Sequence, residues 1–317
     1  MKVLIAPLNW GLGHATRCIP LIRQRLAAGD EVVLGGDGDS LLRLRQAFPD
    51  LRYIHLAPLR LRYSSLSGQR GFYLRAIPQL VYFTLLDHYR LRSLLATEHF
   101  DLVISDNRFG LFSRHTRCVY MTHQLYVRLP RRLRLLQPLA CALHRSIYRH
   151  YDEIWVPDYA SATHNLSGAL SHRGKDDHRV QYIGPLSRLE LCYTTDGVES
   201  YDVVALISGL EPYRTEFENS IINRYAHHSE RVLLVRGLVA APCTRVVLDN
   251  ITLVSHIDDL ELSRLLLAAK HIIARSGYST IMDLEKLHLL DKAELHPTPA
   301  QPEQEYLAYH ITHIQNY

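Results

Sequence analysis

The chain has 317 residues, 47% of them apolar and 21% charged, with a net charge of +4. That length suits two domains, each able to bury its own core. No run of about 18 uncharged apolar residues occurs, which argues against a membrane-spanning helix, and five scattered cysteines with no CxxC pair argue against a disulfide framework or a zinc knuckle.

A reducing cytoplasm is the simplest setting for such cysteines. The opening Met1-Lys2-Val3-Leu4-Ile5-Ala6 is too short an apolar run for a signal peptide and reads as a first strand. The positive balance is carried by arginine and fits anionic small molecules or an anionic membrane surface. No aromatic-interleaved basic stripe or known reader motif occurs, so no nucleic acid partner is expected.

After the first strand comes Asn9-Trp10-Gly11-Leu12-Gly13-His14, then a helical pattern through Leu26. The glycines allow a close ligand approach, and His14 falls at the helix start. Glu31–Leu34 and Arg52–His55 read as further strands, giving the strand, loop, helix, strand unit of a parallel sheet. Gly11-x-Gly13 lacks the third glycine of the dinucleotide fingerprint, so NAD or FAD is not expected.

A long helical pattern covers 73–98, with Phe72, Leu74, Ile77, Leu80, Val81, Phe83, Leu85 and Leu86 as its apolar positions. Asp101–Asp106 and Cys118–Met121 read as buried strands ending in polar residues. Ligands bind beyond the carboxyl ends of such strands. That places Asp106, Asn107, His123 and Gln124 at the mouth of the first sheet. The segment 128–150 is both basic and apolar, and its helical part could lie on an anionic bilayer or simply pack with a solvated arginine face. Glu153–Pro157 closes the first sheet, and the domain boundary falls in 184–200.

The second half repeats the alternation. Asp202–Ile207 is a strand, followed by the turn Ser208-Gly209-Leu210-Glu211 and by Pro212 near a helix start. Val232–Val235 and Ile251–Val254 are strands, the latter ending at His256, and a helix covers 259–269. His271–Ala274 is a short buried strand. It leads into Arg275-Ser276-Gly277-Tyr278-Ser279-Thr280-Ile281-Met282-Asp283. Gly277 suits a tight turn, and Thr280-x-x-Asp283 has the spacing of a capping box. A strand, a glycine turn and a helix start aim free backbone N–H groups at one place, which suits a phosphate. Ser276, Ser279 and Thr280 add hydroxyl donors, and Asp283 can accept from ribose hydroxyls. Plain capping produces the same residue types.

Together these loops resemble the two-domain (GT-B) nucleotide-sugar glycosyltransferases. The likeness is nearest the peptidoglycan N-acetylglucosaminyltransferase and UDP-glucuronosyltransferase-like branch, with its family 28 type of C-terminal domain. Asn9-x-Gly11-x-Gly13-His14 resembles that family's N-terminal glycine loop. Ser208-Gly209 resembles the loop facing the diphosphate, and Arg275 to Asp283 the helix start that takes phosphates and ribose. Gln301-Pro302-Glu303-Gln304 resembles the stretch that contacts the donor sugar. The resemblance implies an α/β fold of two doubly wound, Rossmann-like parallel-sheet domains facing a cleft. Residues 1–185 would form the acceptor side and 200–317 the donor domain. It implies a UDP-sugar or related donor and no obligatory metal or other cofactor. A glycan or lipid-linked acceptor in a cytoplasmic setting is expected, with peripheral membrane contact through 128–150 where its basic and apolar helix lies on the bilayer.

Glycosyl transfer has an oxocarbenium-like transition state, and charge builds on the leaving diphosphate. The Arg275–Thr280 helix start, the Ser208 and Gly209 amides, Arg214 and Arg236 are the expected charge holders, with His256 also on the donor side. His14 is the candidate base for the acceptor hydroxyl, and Asp106 the second choice for base or orienting group. Asn9, Gly11, Gly13, Asn107 and His123 fall on the acceptor side. Two other readings stay open: a nucleotide-sugar 2-epimerase working through Glu211 and Glu303, and a non-catalytic sugar-nucleotide or glycan-binding protein, which the short stretch after Gln304 would suit.

Overall fold

A computed structural model describes residues 1–59, 68–173, 177–192, 197 and 199–314, with the side chains of 68–77 and 314 excepted. The expected apolar side chains Phe72, Leu74 and Ile77, and parts of the boundary stretch 184–200, lie outside the described residues. The chain forms two compact units, Met1–Leu186 and Ser187–Tyr317.

Unit 1 alternates strands and helices: β1 (Lys2–Pro7), α1 (Gly13–Ala27), β2 (Glu31–Gly36), α2 (Gly38–Ala47), β3 (Tyr53–His55), α3 (Gly68–Thr97), β4 (Leu102–Asp106), β5 (Arg117–Met121), a 3-10 turn (Arg131–Leu136), α4 (Gln137–Tyr148), β6 (Glu153–Val156) and β7 (Val180–Tyr182). Its seven strands run parallel in the order β3-β2-β1-β4-β5-β6-β7. β7, and not β6, is therefore the edge.

β1 shows why the sheet is buried on both faces. Val3 and Ile5 point to one side, against Ile19 and Ile22 of α1 and Leu41 and Leu44 of α2. Leu4 and Ala6 point to the other, into a cluster with Leu91 of α3 and Tyr148 of α4. Strand period two thus feeds two helical layers from one continuous apolar run.

Deep in the second layer sits His144, its Nε2 2.9 Å from the Tyr120 hydroxyl. Burial pushes its pKa down to about 4 from the ordinary 6.5. Unfolding exposes the ring, so below pH 6.5 the unfolded chain binds a proton that the folded chain refuses. Stability therefore falls as pH drops from 6.5 to 4, by up to about 3 kcal/mol from this group alone. The stability gap between wild type and His144→Gln, measured by urea unfolding, should shift against the wild type as pH falls through that window. A gap constant with pH would show that the ring is not held neutral.

Unit 2 contains β8 (Val203–Leu206), α5 (Tyr213–Tyr225), β9 (Val232–Val235), β10 (Arg245–Leu248), β11 (Ile251–Val254), α6 (Asp259–Ala268), β12 (His271–Arg275), α7 (Tyr278–Lys286), β13 (Ala293–His296) and α8 (Pro302–Ile314). The strand order is β10-β11-β9-β8-β12-β13. All neighbours pair in parallel except β10 with β11, a hairpin that the sequence reading did not anticipate. Ile272 faces α6 and α7, while Ile273 faces Phe217 and Ile221 of α5. Among the described residues no helix is long and apolar enough to cross a membrane.

Candidate functional site

In both sheets the strand order reverses at a pair of neighbouring strands, and crevices open at such points. In unit 1 the pair is β1 and β4. The β1–α1 loop supplies His14, and the end of β4 supplies Asp106. In unit 2 the pair is β8 and β12, whose following loops carry Ser208-Gly209 and Ser276-Gly277. The topology thus brings the residues singled out in each half of the sequence to that half's own reversal point.

In unit 1 a closed polar cluster forms there. Nδ1 of His14 stands 3.0 Å from Oδ1 of Asp106. Arg17, one helical turn after His14, donates from Nε to Oδ2 of Asp106 at 2.7 Å and from Nη2 to Oδ1. The same Nη2 is 2.9 Å from Nδ1 of His14. Nη1 lies 3.0 Å from Nδ1 of His123. A guanidinium only donates, so His123 accepts there and carries its proton on Nε2. Arg17 is 1% exposed and Asp106 fully buried, while the His14 side chain keeps 15% exposure. Burial alone would raise the Asp106 pKa; Arg17 and His14 outweigh it and hold the carboxyl well below its usual range. A buried anion so held orients its neighbour and does not itself meet an acceptor.

His14 has two tautomers in this setting. With the proton on Nδ1, the ring donates to Asp106 and Nε2 carries the free lone pair. With the proton on Nε2, Nδ1 accepts from Arg17. The carboxylate at 3.0 Å favours the first. Arg17 was not among the expected site residues, although its position three after His14 on a helix puts both on one face.

The remaining expected residues of unit 1 build the loop. Asn9 donates to Asp37 at 3.2 Å and accepts from the Ser40 amide at 3.3 Å. It lies so close to Gly38 that any β-carbon there would collide with its amide. Gly11 has φ 75, and Gly13 opens α1. Asn107, at φ 58, accepts from the Tyr120 hydroxyl at 2.9 Å.

In unit 2, α7 begins at Tyr278 with Gly277 as its N-cap, and no side chain caps it. The expected capping box is thus absent: the helix starts earlier, so Ser279 and Thr280 sit in its first turn. Gly277 has φ −73, an ordinary extended value, so no tight turn needs it. Asp283 accepts from Ser187 Oγ at 2.6 Å and lies 3.7 Å from Arg188 Nε. Burial raises its pKa, against the pull of Arg188 and Ser187.

Arg275 turns inward. It donates to the carbonyls of Pro297 and Tyr213 at 3.0 and 2.9 Å and covers the Phe217 ring. Ser276 Oγ donates to the Gln304 carbonyl at 2.9 Å. Gln304 in turn accepts from the Thr298 amide at 2.9 Å and donates to Gln301 at 2.8 Å. Glu303 lies in the first turn of α8. Thr298 is buried, and its Oγ1 has no hydrogen-bond partner among the described residues. A β-carbon on Gly209, which has φ 109, would meet that Oγ1 at 3.8 Å. Gly209, Ser276, Thr298, Gln301 and Gln304 are therefore linked to one another through Thr298 and Gln304. Thr298 was missed because a lone threonine between prolines gives no sequence signal.

Arg214 and Arg236 meet at a residue that the sequence reading passed over. Both donate to Glu218 Oε2 at 3.0 Å, and Arg214 also holds Glu211 at 2.7 Å. His256 lies against an open pocket of about 470 Å³ that Tyr201, Arg245, Ile257 and Leu260 also line. Its Nδ1 is buried with no partner among the described residues. Among the described residues no group of three His, Cys, Asp or Glu could hold a metal ion.

No family model matches the chain, and no curated protein is similar to it in sequence. Solved structures are similar in fold. A UDP-glucosyltransferase from Polygonum tinctorium capable of glucosylating indoxyl superposes with a TM-score of 0.62 at 13% identity, covering 98% of this chain and 82% of its own. The glycosyltransferase SnogD from Streptomyces nogalater gives 0.57 at 15% identity, covering 100% and 95%. The spinosyn rhamnosyltransferase SpnG, complexed with thymidine diphosphate, gives 0.55 at 11% identity, covering 100% and 92%. Two parallel-sheet α/β units with these neighbours are the GT-B fold.

Proposed function

We propose that this chain is a glycosyltransferase that moves a sugar from a UDP-sugar to a hydroxyl of a glycan or lipid-linked, cell-envelope acceptor at the cytoplasmic side. We place it in the branch of the peptidoglycan N-acetylglucosaminyltransferases and UDP-glucuronosyltransferase-like enzymes, on the order of its four loop motifs. The observation that carries the reading is the His14–Asp106 pair at the reversal point of a GT-B unit.

In this reading the acceptor hydroxyl loses its proton to Nε2 of His14. The ring becomes an imidazolium, and the Asp106 carboxylate faces the new charge without taking the proton. Arg17 grips both carboxylate oxygens and fixes the plane in which Asp106 meets the ring. Asn9, Gly11, Gly13, Asn107 and His123 shape the acceptor side.

Unit 2 takes the donor. The uncapped start of α7 offers its amides to the diphosphate, with Ser276, Gly277, Ser279, Thr280 and the Ser208-Gly209 loop around it. Arg214 and Arg236, preset by Glu218, add positive charge, and Arg275 holds the loop in shape. The base lies by His256, the ribose by Asp283 and the sugar by Gln301, Glu303 and Gln304. Departure of UDP and attack of the acceptor occur in one inverting displacement without a resident metal. An epimerase working through Glu211 and Glu303 would need both carboxylates at the sugar, and Glu211 is engaged by Arg214 and Thr215.

Incubation with a panel of labelled UDP-sugars tests the reading: UDP release and glycosyl product support it, an epimer or mere binding overturns it. Full turnover in EDTA is expected. On the donor side, Asp283→Ala should weaken UDP binding by roughly 1–3 kcal/mol in calorimetry, as a buried hydroxyl partner is lost. Unchanged affinity with a lowered melting temperature would instead assign Asp283 to anchoring Ser187 and Arg188.

A further inference from the structure

The first turn of α2 spends its polar side chains away from its own helix. Asp37 stands at the N-cap, where an aspartate ordinarily accepts from the first amides of the helix it begins. Asp37 makes no such bond. One of its oxygens accepts from Arg108 Nη1 at 2.9 Å, and the other from Asn9 Nδ2 at 3.2 Å.

Ser40, in the same turn, is directed the same way. Its hydroxyl lies 3.3 Å from the Leu8 carbonyl and 3.3 Å from the Gly11 carbonyl. Its amide donates to Asn9 Oδ1 at 3.3 Å. Gly38 makes room between them, since it has φ 52 and a β-carbon there would strike the Asn9 amide. A helix start that served only itself would turn these side chains onto α2. One that served only packing would carry apolar residues at positions as buried as Asp37 and Ser40.

The contacts converge on Leu8, Asn9 and Gly11. These belong to the β1–α1 loop, which is neither strand nor helix and delivers His14. The Leu8 amide donates to the Asp106 carbonyl at 2.9 Å, so β4 fixes the root of the loop while α2 fixes its length. The His14 ring is held separately, by the Asp106 carboxylate. A base needs both holds: one turns the ring, the other sets where the ring stands.

We propose that Asp37 and Ser40 are positioning residues for His14. The first turn of α2 clamps the loop through Asn9 and the Leu8 and Gly11 carbonyls, and so places Nε2 of His14 for the acceptor hydroxyl. Asp37 and Ser40 are both buried, so they act through His14 and do not meet the acceptor. Arg108 ties the clamp to the core, because it holds Asp37 and both oxygens of Asp87 on α3. The inference rests on the reading of His14 as the base.

Asn9→Ala and Ser40→Ala test it. Asn9→Ala leaves Asp37 its arginine, so that variant should keep the circular dichroism of the wild type. Saturated turnover should fall roughly tenfold to a hundredfold in each, the loss that a slightly misplaced catalytic group brings. UDP affinity in calorimetry should hold. In a His14→Ala background neither change should lower turnover further, because the group they position is gone. An equal loss in that background overturns the proposal, and so does wild-type turnover in both folded variants. Normal turnover in His14→Ala alone removes the base, and this inference with it. Nitrogen NMR of the histidine rings gives a readout without substrate, the His14 signals being those lost in His14→Ala. The wild type should carry the His14 proton on Nδ1, and Asn9→Ala should show a mixture of tautomers. His14 signals identical in the two chains overturn the proposal.

Discussion

His14→Ala is expected to lower saturated turnover, read as UDP release, by roughly a hundredfold to ten-thousandfold. The ring removed is the partly exposed member of an otherwise buried cluster, so the acceptor proton loses its destination. UDP affinity should barely change, because the loops proposed to face the phosphates belong to unit 2. The melting temperature should also hold, since Arg17 still satisfies both oxygens of Asp106. A weakened UDP affinity with near-normal saturated turnover would make His14 a phosphate contact. A lowered melting temperature with intact turnover would make it a helix-end residue. Either outcome removes the proposed base, and Asp106 cannot replace it: it is fully buried and held ionised.

The other large effect lies in stability. Arg108 is fully buried at the end of β4 and donates to both oxygens of Asp87 on α3 at 2.9 Å, to Asp37 at 2.9 Å and to the Ala57 carbonyl at 2.7 Å. Burial raises the Asp87 pKa even against the attraction of Arg108. Arg108→Met strands that carboxyl in the core and should destabilise unit 1 by about 3–5 kcal/mol. Adding Asp87→Leu should recover part of the loss, because the stranded carboxyl goes with it. Both tryptophans, Trp10 and Trp155, belong to unit 1, so denaturant curves followed by tryptophan fluorescence report on this unit. A shift under 1 kcal/mol for Arg108→Met would show that water reaches the Asp87 carboxyl.

The alternation of apolar strands with helical patterns was legible throughout, because parallel sheets buried on both faces leave continuous apolar runs. β10 was not. Its residues are all exposed, so no burial period marks Arg245–Leu248 as a strand. The His14 and Asp106 positions were legible separately, as a residue after one strand and a residue ending another. Their contact was not, since 92 residues separate them and the order of strands brings them together. Arg17, Arg108 and Glu218 were passed over for a common reason. A charged residue on a helix or at a strand end is by default solvated, and only the fold shows that these three are buried. The capping box at Thr280 misled because the motif describes a helix start that Gly277 had already made.

The hairpin of β10 and β11 also bears on how this protein behaves when concentrated. Among the described residues β10 is the outermost strand of its sheet, and no further strand pairs with its outer side. Val246, Val247 and Leu248 add three exposed apolar side chains to that rim. Such a rim invites a second chain to add itself as the next strand. Its length works the other way. Pro242 lies three residues ahead of it, and Asp249, at φ 50, turns the chain at its far end. Only four residues remain, about 13 Å of ladder. That is long enough to cover the flank of β11 and too short to seed stacking between molecules.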